Sequence, residues 1–81
     1  VIAVLQRGFV YVGRRRVTPQ GMIHLSPARC IRTWGTRGVG LMGLQSGPLA
    51  ETVLETVGEI VYHPLGEVFH IPATGEWGLD G

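Results

Sequence analysis

The sequence predicts a small, mainly β domain: a strongly bent sheet or an SH3-like barrel of five or six short strands, with one or two short helical turns. Three features point that way. Short β-branched and aromatic runs recur along the chain, each bounded by glycine, proline or serine. The 13 glycines and 5 prolines among 81 residues disfavour long helices. A chain this short also needs to remove or shorten exposed strand edges, which a barrel or a bent sheet does.

The elements follow in order. "VIAVLQ", residues 1–6, is a β-branched run bounded by Arg7 and Gly8 and reads as a buried strand. In "FVYVG", Phe9 and Tyr11 point one way and Val10 and Val12 the other, and Gly13 marks a bulge where the strand bends. "RRRVT" continues that strand at a solvated edge. "PQG" is a turn, with proline pre-setting one dihedral and glycine supplying the permissive one. "MIHL" is a third strand, "SPA" breaks it, and "RCIRTW" resumes extended structure. Thr36 is placed to cap a short helix over "RGVGLMGL", ended by Gly47 and Pro48. "PLAETVLETVG" opens on proline and puts Leu49, Val53 and Val57 on one face, opposite Glu51 and Glu55; its β-branched residues limit it to one or two helical turns. "EIVYHP" and "EVFHIP" read as a hairpin around Leu65 and Gly66. Residues 1–72 thus make one β-rich domain, and "ATGEWGLDG", residues 73–81, a mobile polar tail.

Composition narrows the function classes. The single cysteine, Cys30, excludes an intramolecular disulfide, and His24, His63 and His70 lack partners at zinc-ligand spacing, so no metal and no cofactor is expected. A small domain without staples gains stability by self-association, so a homo-oligomer is expected. No run approaches a membrane span, no leader precedes the first strand, and the start at Val1 points to processing or trimming. An enzyme is not expected either. There is no Asp before Asp80 and no nucleophile elbow, Cys30 reads as a buried small hydrophobe, and His24 and His70 read as satisfied sheet residues.

Charge layout says more than the net charge of +1. All seven basic residues are arginines in the front half, and all six acids follow from Glu51 onward. Arginine suits bidentate binding of phosphate or carboxylate. The same layout also lets the two halves attract each other, within one chain or between copies. Three adjacent arginines beside aromatics suit a nucleic-acid track, but the sequence pI of about 8.2 lies below the usual range for such domains.

The stretch "CIRTWGTRGVG" is the candidate ligand site. Arg32 and Trp34 share a strand face, which offers a guanidinium for an anion and an indole for stacking on a base. Arg32 and Arg37 would hold phosphate, Trp34 would stack, and Thr36 and Gly38 would supply hydroxyl or backbone contacts, with glycines permitting close approach. The spacing matches neither a P-loop nor a dinucleotide fingerprint. The alternative is architectural: Trp34 plugs a small core, Arg32 packs across it, and the glycines permit a tight crossover.

Two resemblances follow from these residues. The chain resembles a group of small phage and prophage proteins of unassigned function that share an apolar first strand, "RGFVYVG" here at residues 7–13, "IRTWGT" at 31–36, and a glycine pair at Gly38 and Gly40. That group carries an acidic residue after the glycines, where this chain has Leu41 and Met42. The resemblance implies a phage setting and expression in the host bacterial cytoplasm. The order of "GFVYVG", a turn, "GMIHLSPA" and a late strand pair is similar to Sm-like barrels, which implies a ring that binds RNA. The function expected is therefore capture of a small anionic ligand, such as a nucleotide immune signal. The alternatives are a virion or assembly protein and an Sm-like RNA binder.

Overall fold

The computed structural model describes residues 1–35 and 40–78, the Met42 side chain excepted. Five strands run antiparallel to their neighbours in one sheet: β1 Ile2–Leu5, β2 Val10–Val17, β3 Ile23–Thr33, β4 Val53–Tyr62 and β5 Glu67–Ile71. Their order across the sheet is β4-β3-β2-β1-β5. The mainly β class is as expected, in its bent-sheet form, because β4 and β5 end the sheet without closing it into a barrel.

Local chemistry sets the first two connections. Between β1 and β2, Arg7 and Gly8 both take positive φ, and the Leu5 N–H donates to the Phe9 carbonyl at 2.8 Å. Between β2 and β3, Pro19 and Gln20 lead to Gly21 at φ 82, and the Met22 N–H donates to Thr18 Oγ1 at 3.1 Å. Gly13 sits at the expected irregularity, where the β2–β3 register shifts. A Cβ there would stand 2.7 Å from the Pro27 carbonyl oxygen, so only glycine admits the close approach.

Three expected elements differ. "SPA" does not end a strand. Ser26 to Ala28 stay inside β3, where the register to β4 also shifts, and a bulge tolerates a proline that cannot donate to the ladder. The helical turns expected in "PLAETVLETVG" are replaced by a turn over 49–52 and the start of β4. Val53, Thr56 and Val57 lose side-chain freedom in a helix and fit a pleated surface paired with β3, so tertiary pairing decides. The last two strands are not a paired hairpin. They lie on opposite edges and are joined through a 3-10 turn, Pro64–Gly66.

That last connection forces the curl of the sheet. The edge strands of a flat five-stranded sheet would lie about 19 Å apart. A 3-10 turn advances only about 2 Å per residue, yet the Tyr62 hydroxyl at the end of β4 lies 2.6 Å from the Glu67 carboxylate at the start of β5. The sheet therefore curls until the end of β4 and the start of β5 approach each other, while the rest of both edges stays open.

Apolar side chains cover both faces. One cluster joins Ile2, Val10, Val12, Ile31 and Ile71 to Leu41 and Leu44 of a second 3-10 turn, Leu41–Leu44, and to Trp77. The other is smaller and gathers Ala3, Leu25 and Ala28, with Leu5, Tyr11, Ile60 and Tyr62 against them. Within the expected mobile polar tail of residues 73–81, Trp77 is part of the core. It is 4% exposed, its indole N–H donates to the Thr74 carbonyl, and the Thr74 N–H donates to Gln45. Residues 72–78 are thus a docked lid over the first cluster, while 79–81 lie outside the described residues. Among the described residues, no helix is long and apolar enough to cross a membrane.

Candidate functional site

Arg32 lies near the end of β3, and Trp34 follows its last residue. The chain then turns sharply: Gly35 has φ 69, and a Cβ there would stand 2.5 Å from the Glu51 carbonyl carbon. Thr52 fastens the turn, its hydroxyl donating to the Trp34 carbonyl at 2.6 Å and accepting from the Leu49 N–H at 2.9 Å. The backbone of Trp34 is therefore held, while its side chain is 40% exposed. Trp34 does not plug the core; Trp77 fills that role.

The Arg32 guanidinium meets an acid from the back half of the chain. Its Nε and a terminal nitrogen both donate to Glu55 Oε2 at 2.9 Å, with side chains 56% and 54% exposed. Glu55 and Cys30 are register partners, as are Cys30 and Tyr11, so the three line a single row across β4, β3 and β2. Burial pushes the Cys30 thiol above its ordinary range, with Arg32 opposing and Glu55 reinforcing the rise. That leaves a neutral thiol, as a buried small hydrophobe should be. Of the five candidate site residues, the structure describes Arg32, near the end of β3, and Trp34, just past it at the root of the β3–β4 connection. Thr36, Arg37 and Gly38 lie outside the described residues.

The two strand histidines have partners. His24 Nδ1 lies 3.0 Å from an Arg16 nitrogen, and its Nε2 lies 3.3 Å from Glu59. His70 Nδ1 lies 2.5 Å from Glu67.

Glu67 is the residue that sequence reasoning passed over. Its side chain is only 8% exposed, yet it collects donors from three strands. Arg15 of β2 reaches it through two nitrogens at 3.3 Å, Tyr62 of β4 through its hydroxyl, and His70 of β5 through Nδ1. Burial alone would raise the carboxyl, but the hydrogen bonds from Tyr62, His70 and Arg15 outweigh it and hold Glu67 below the ordinary carboxylate range. Burial, then the bond to Glu67, pushes the Tyr62 phenol well above its usual value, so it stays a donor. A signal for this cluster was present in "RRR". Strand side chains alternate, so the middle arginine, Arg15, faces opposite to its neighbours and needs an acid inside.

Among the described residues, no group of His, Cys, Asp and Glu is arranged to hold a metal ion. No protein-family model, curated protein or solved structure matches the chain.

Proposed function

We propose that this protein is a non-enzymatic module that works by self-association, as a component of an assembly. One feature carries this: both ends of the sheet are open edges lined with exposed apolar residues. β4 runs ten residues, Val53–Tyr62, and exposes Val53, Val57 and Val61. β5 exposes Val68 and Phe69 at the other edge. Among the described residues, nothing pairs with the outer side of either strand. Natural edges are commonly short or guarded by free charges. Here the charges on β4 are turned back onto the sheet, Glu55 to Arg32 and Glu59 to His24. A long unguarded edge is a pairing site for another strand, and β5 of a second copy supplies one. The phage resemblance places such an assembly in a virion or on the path to one.

Sedimentation of the purified chain across a wide concentration range tests this. The expected result is an oligomer that Val57→Lys and Val61→Lys convert to monomer without unfolding. A wild-type monomer at every concentration overturns it.

A second function, capture of a small anionic ligand such as a nucleotide, is favoured by the exposed indole of Trp34 standing two residues from the exposed guanidinium of Arg32. In a phage setting the ligand would be a nucleotide immune signal of the host. An anion must first displace Glu55 from Arg32, which is why self-association ranks above it. Quenching of Trp34 fluorescence by mono-, di- or cyclic nucleotides, lost in Trp34→Phe, would support capture. Unchanged emission with all of them would exclude it.

A further inference from the structure

We propose that the Glu67 carboxylate is a latch that holds the curled sheet at the one end where β4 and β5 approach, and that acid opens this seam by protonating it before the rest of the sheet gives way. The seam is the gap between β4 and β5, which no backbone ladder closes. Near Glu67 the contact that spans it is the Tyr62 hydroxyl of β4, and two further donors meet the same carboxylate. Arg15 comes from β2, Tyr62 from β4 and His70 from β5 itself. The register partner of Glu67 on β1 is Leu5, and that of Arg15 on β3 is Leu25, so the two inner strands offer no alternative acceptor there. Of the other charged groups at this end, Arg16 of β2 and Glu59 of β4 each bond to His24 of β3 rather than to Glu67. Gln6 adds one exposed tie outside the latch, its amide donating to the Leu65 carbonyl at 3.1 Å.

An ionised carboxylate accepts from all of these donors at once, whereas a protonated one brings a hydrogen of its own. Once Glu67 is neutral, Arg15 is a largely buried cation facing leucine, and water must enter to solvate it. Water entry at that point parts β5 from the mouth of the smaller apolar cluster, where Leu5 and Tyr62 pack on Ala3 and Leu25. The β2–β3 ladder lies away from the seam and keeps its bonds. β5 is therefore the element set to release first.

Amide hydrogen exchange resolved by residue tests this on the full chain from neutral pH into acid, read as protection factors. The expected result is that β5 amides lose protection by about tenfold or more as the latch protonates, the loss of charged hydrogen bonds, while β2–β3 amides keep theirs. Glu67→Gln should show the lowered β5 protection already at neutral pH, with little further change in acid. Loss of protection in β5 and β2–β3 together at every pH, or a Glu67→Gln chain as protected as the wild type, would overturn the proposal. Should Glu67→Gln fail to fold, Tyr62→Phe removes the donor that crosses the seam. It should lower protection in β5 alone, and no change in that variant would overturn the proposal equally.

Discussion

Arg15–Glu67 and Arg32–Glu55 contrast as the two tryptophans do: in each case one is buried and one exposed. At the seam, Arg15 and Glu67 are 23% and 8% exposed; at the root of the β3–β4 connection, Arg32 and Glu55 are 56% and 54% exposed. The exposed pair is the shorter, 2.9 Å against 3.3 Å. Length is not what ranks them. Water screens the exposed pair and solvates either partner when the other is lost. The buried pair has no such recourse, so removal of one member strands the other. The tryptophans divide the same way: Trp77 closes a core, and Trp34 faces solvent from a fastened backbone. One region therefore carries the fold, and the other keeps its side chains at the surface.

The sharpest way to break that comparison is with the tryptophans. Trp77→Ala opens a cavity beneath Leu41 and Leu44 and should cost about 3–5 kcal/mol, enough to lower the melting temperature by some tens of degrees in a domain this small. Trp34→Ala should leave the melting curve nearly where it was. Equal losses in the two variants, measured by circular dichroism, would mean that the exposed indole is structural after all.

The glutamates come next. Glu67→Ala leaves Arg15 and the Tyr62 hydroxyl without an acceptor and should cost about 3 kcal/mol, read as a drop in the urea midpoint at unchanged slope. Glu55→Ala should not move the midpoint measurably. A double-mutant cycle with Arg15→Met should return a coupling that accounts for most of the Glu67 loss.

This contrast explains what the sequence disclosed and what it withheld. The strand runs, the bulge at Gly13 and the turn at Gly21 were legible because each rests on a local rule: alternation, a missing Cβ, a permissive φ. The first half of β4 was misread because its β-branched residues permit two local answers, and only pairing with β3 selects the strand. Trp77 was misread because polar neighbours surround it in "ATGEWGLDG", and nothing local shows that the first cluster lacks a lid. The Glu67 cluster joins residues from three strands, and Arg15 and Glu67 are 52 positions apart. Arg32 and Trp34 were legible only as neighbours in sequence, and the partner that occupies Arg32 comes from 23 positions away.

Acidity should separate the two regions more gently than mutation does, because protonation leaves the side chain in place. The folded-state value of Glu67 lies below that of an unfolded carboxyl. Its contribution is therefore fully present above the ordinary carboxyl range and is lost as pH falls through the folded value. The urea midpoint should decline through that acid window in the wild type and in Glu55→Ala alike. In Glu67→Gln this part of the decline should be missing. An identical acid profile in all three chains would show that Glu67 contributes nothing to the pH dependence.

The smallest effect belongs to the exposed region and concerns binding rather than stability. Glu55→Gln keeps the shape of the Arg32 partner and removes its charge, so the fold should be unaffected. Arg32 then faces solvent with its positive charge uncompensated, beside Trp34. A unit charge a few ångströms away in water is worth a factor of about five in affinity. If the turn is an anion site held in check by its own carboxylate, inorganic phosphate or a nucleotide should bind Glu55→Gln about fivefold more tightly than wild type, with an enhancement that fades as salt rises. Trp34→Phe in the same background should abolish the nucleotide's advantage over phosphate, because that advantage comes from the indole stacking on a base. Equal affinity for Glu55→Gln and wild type would show that Arg32 and Glu55 only staple β3 to β4, and would leave the open edges as the working surface of the molecule.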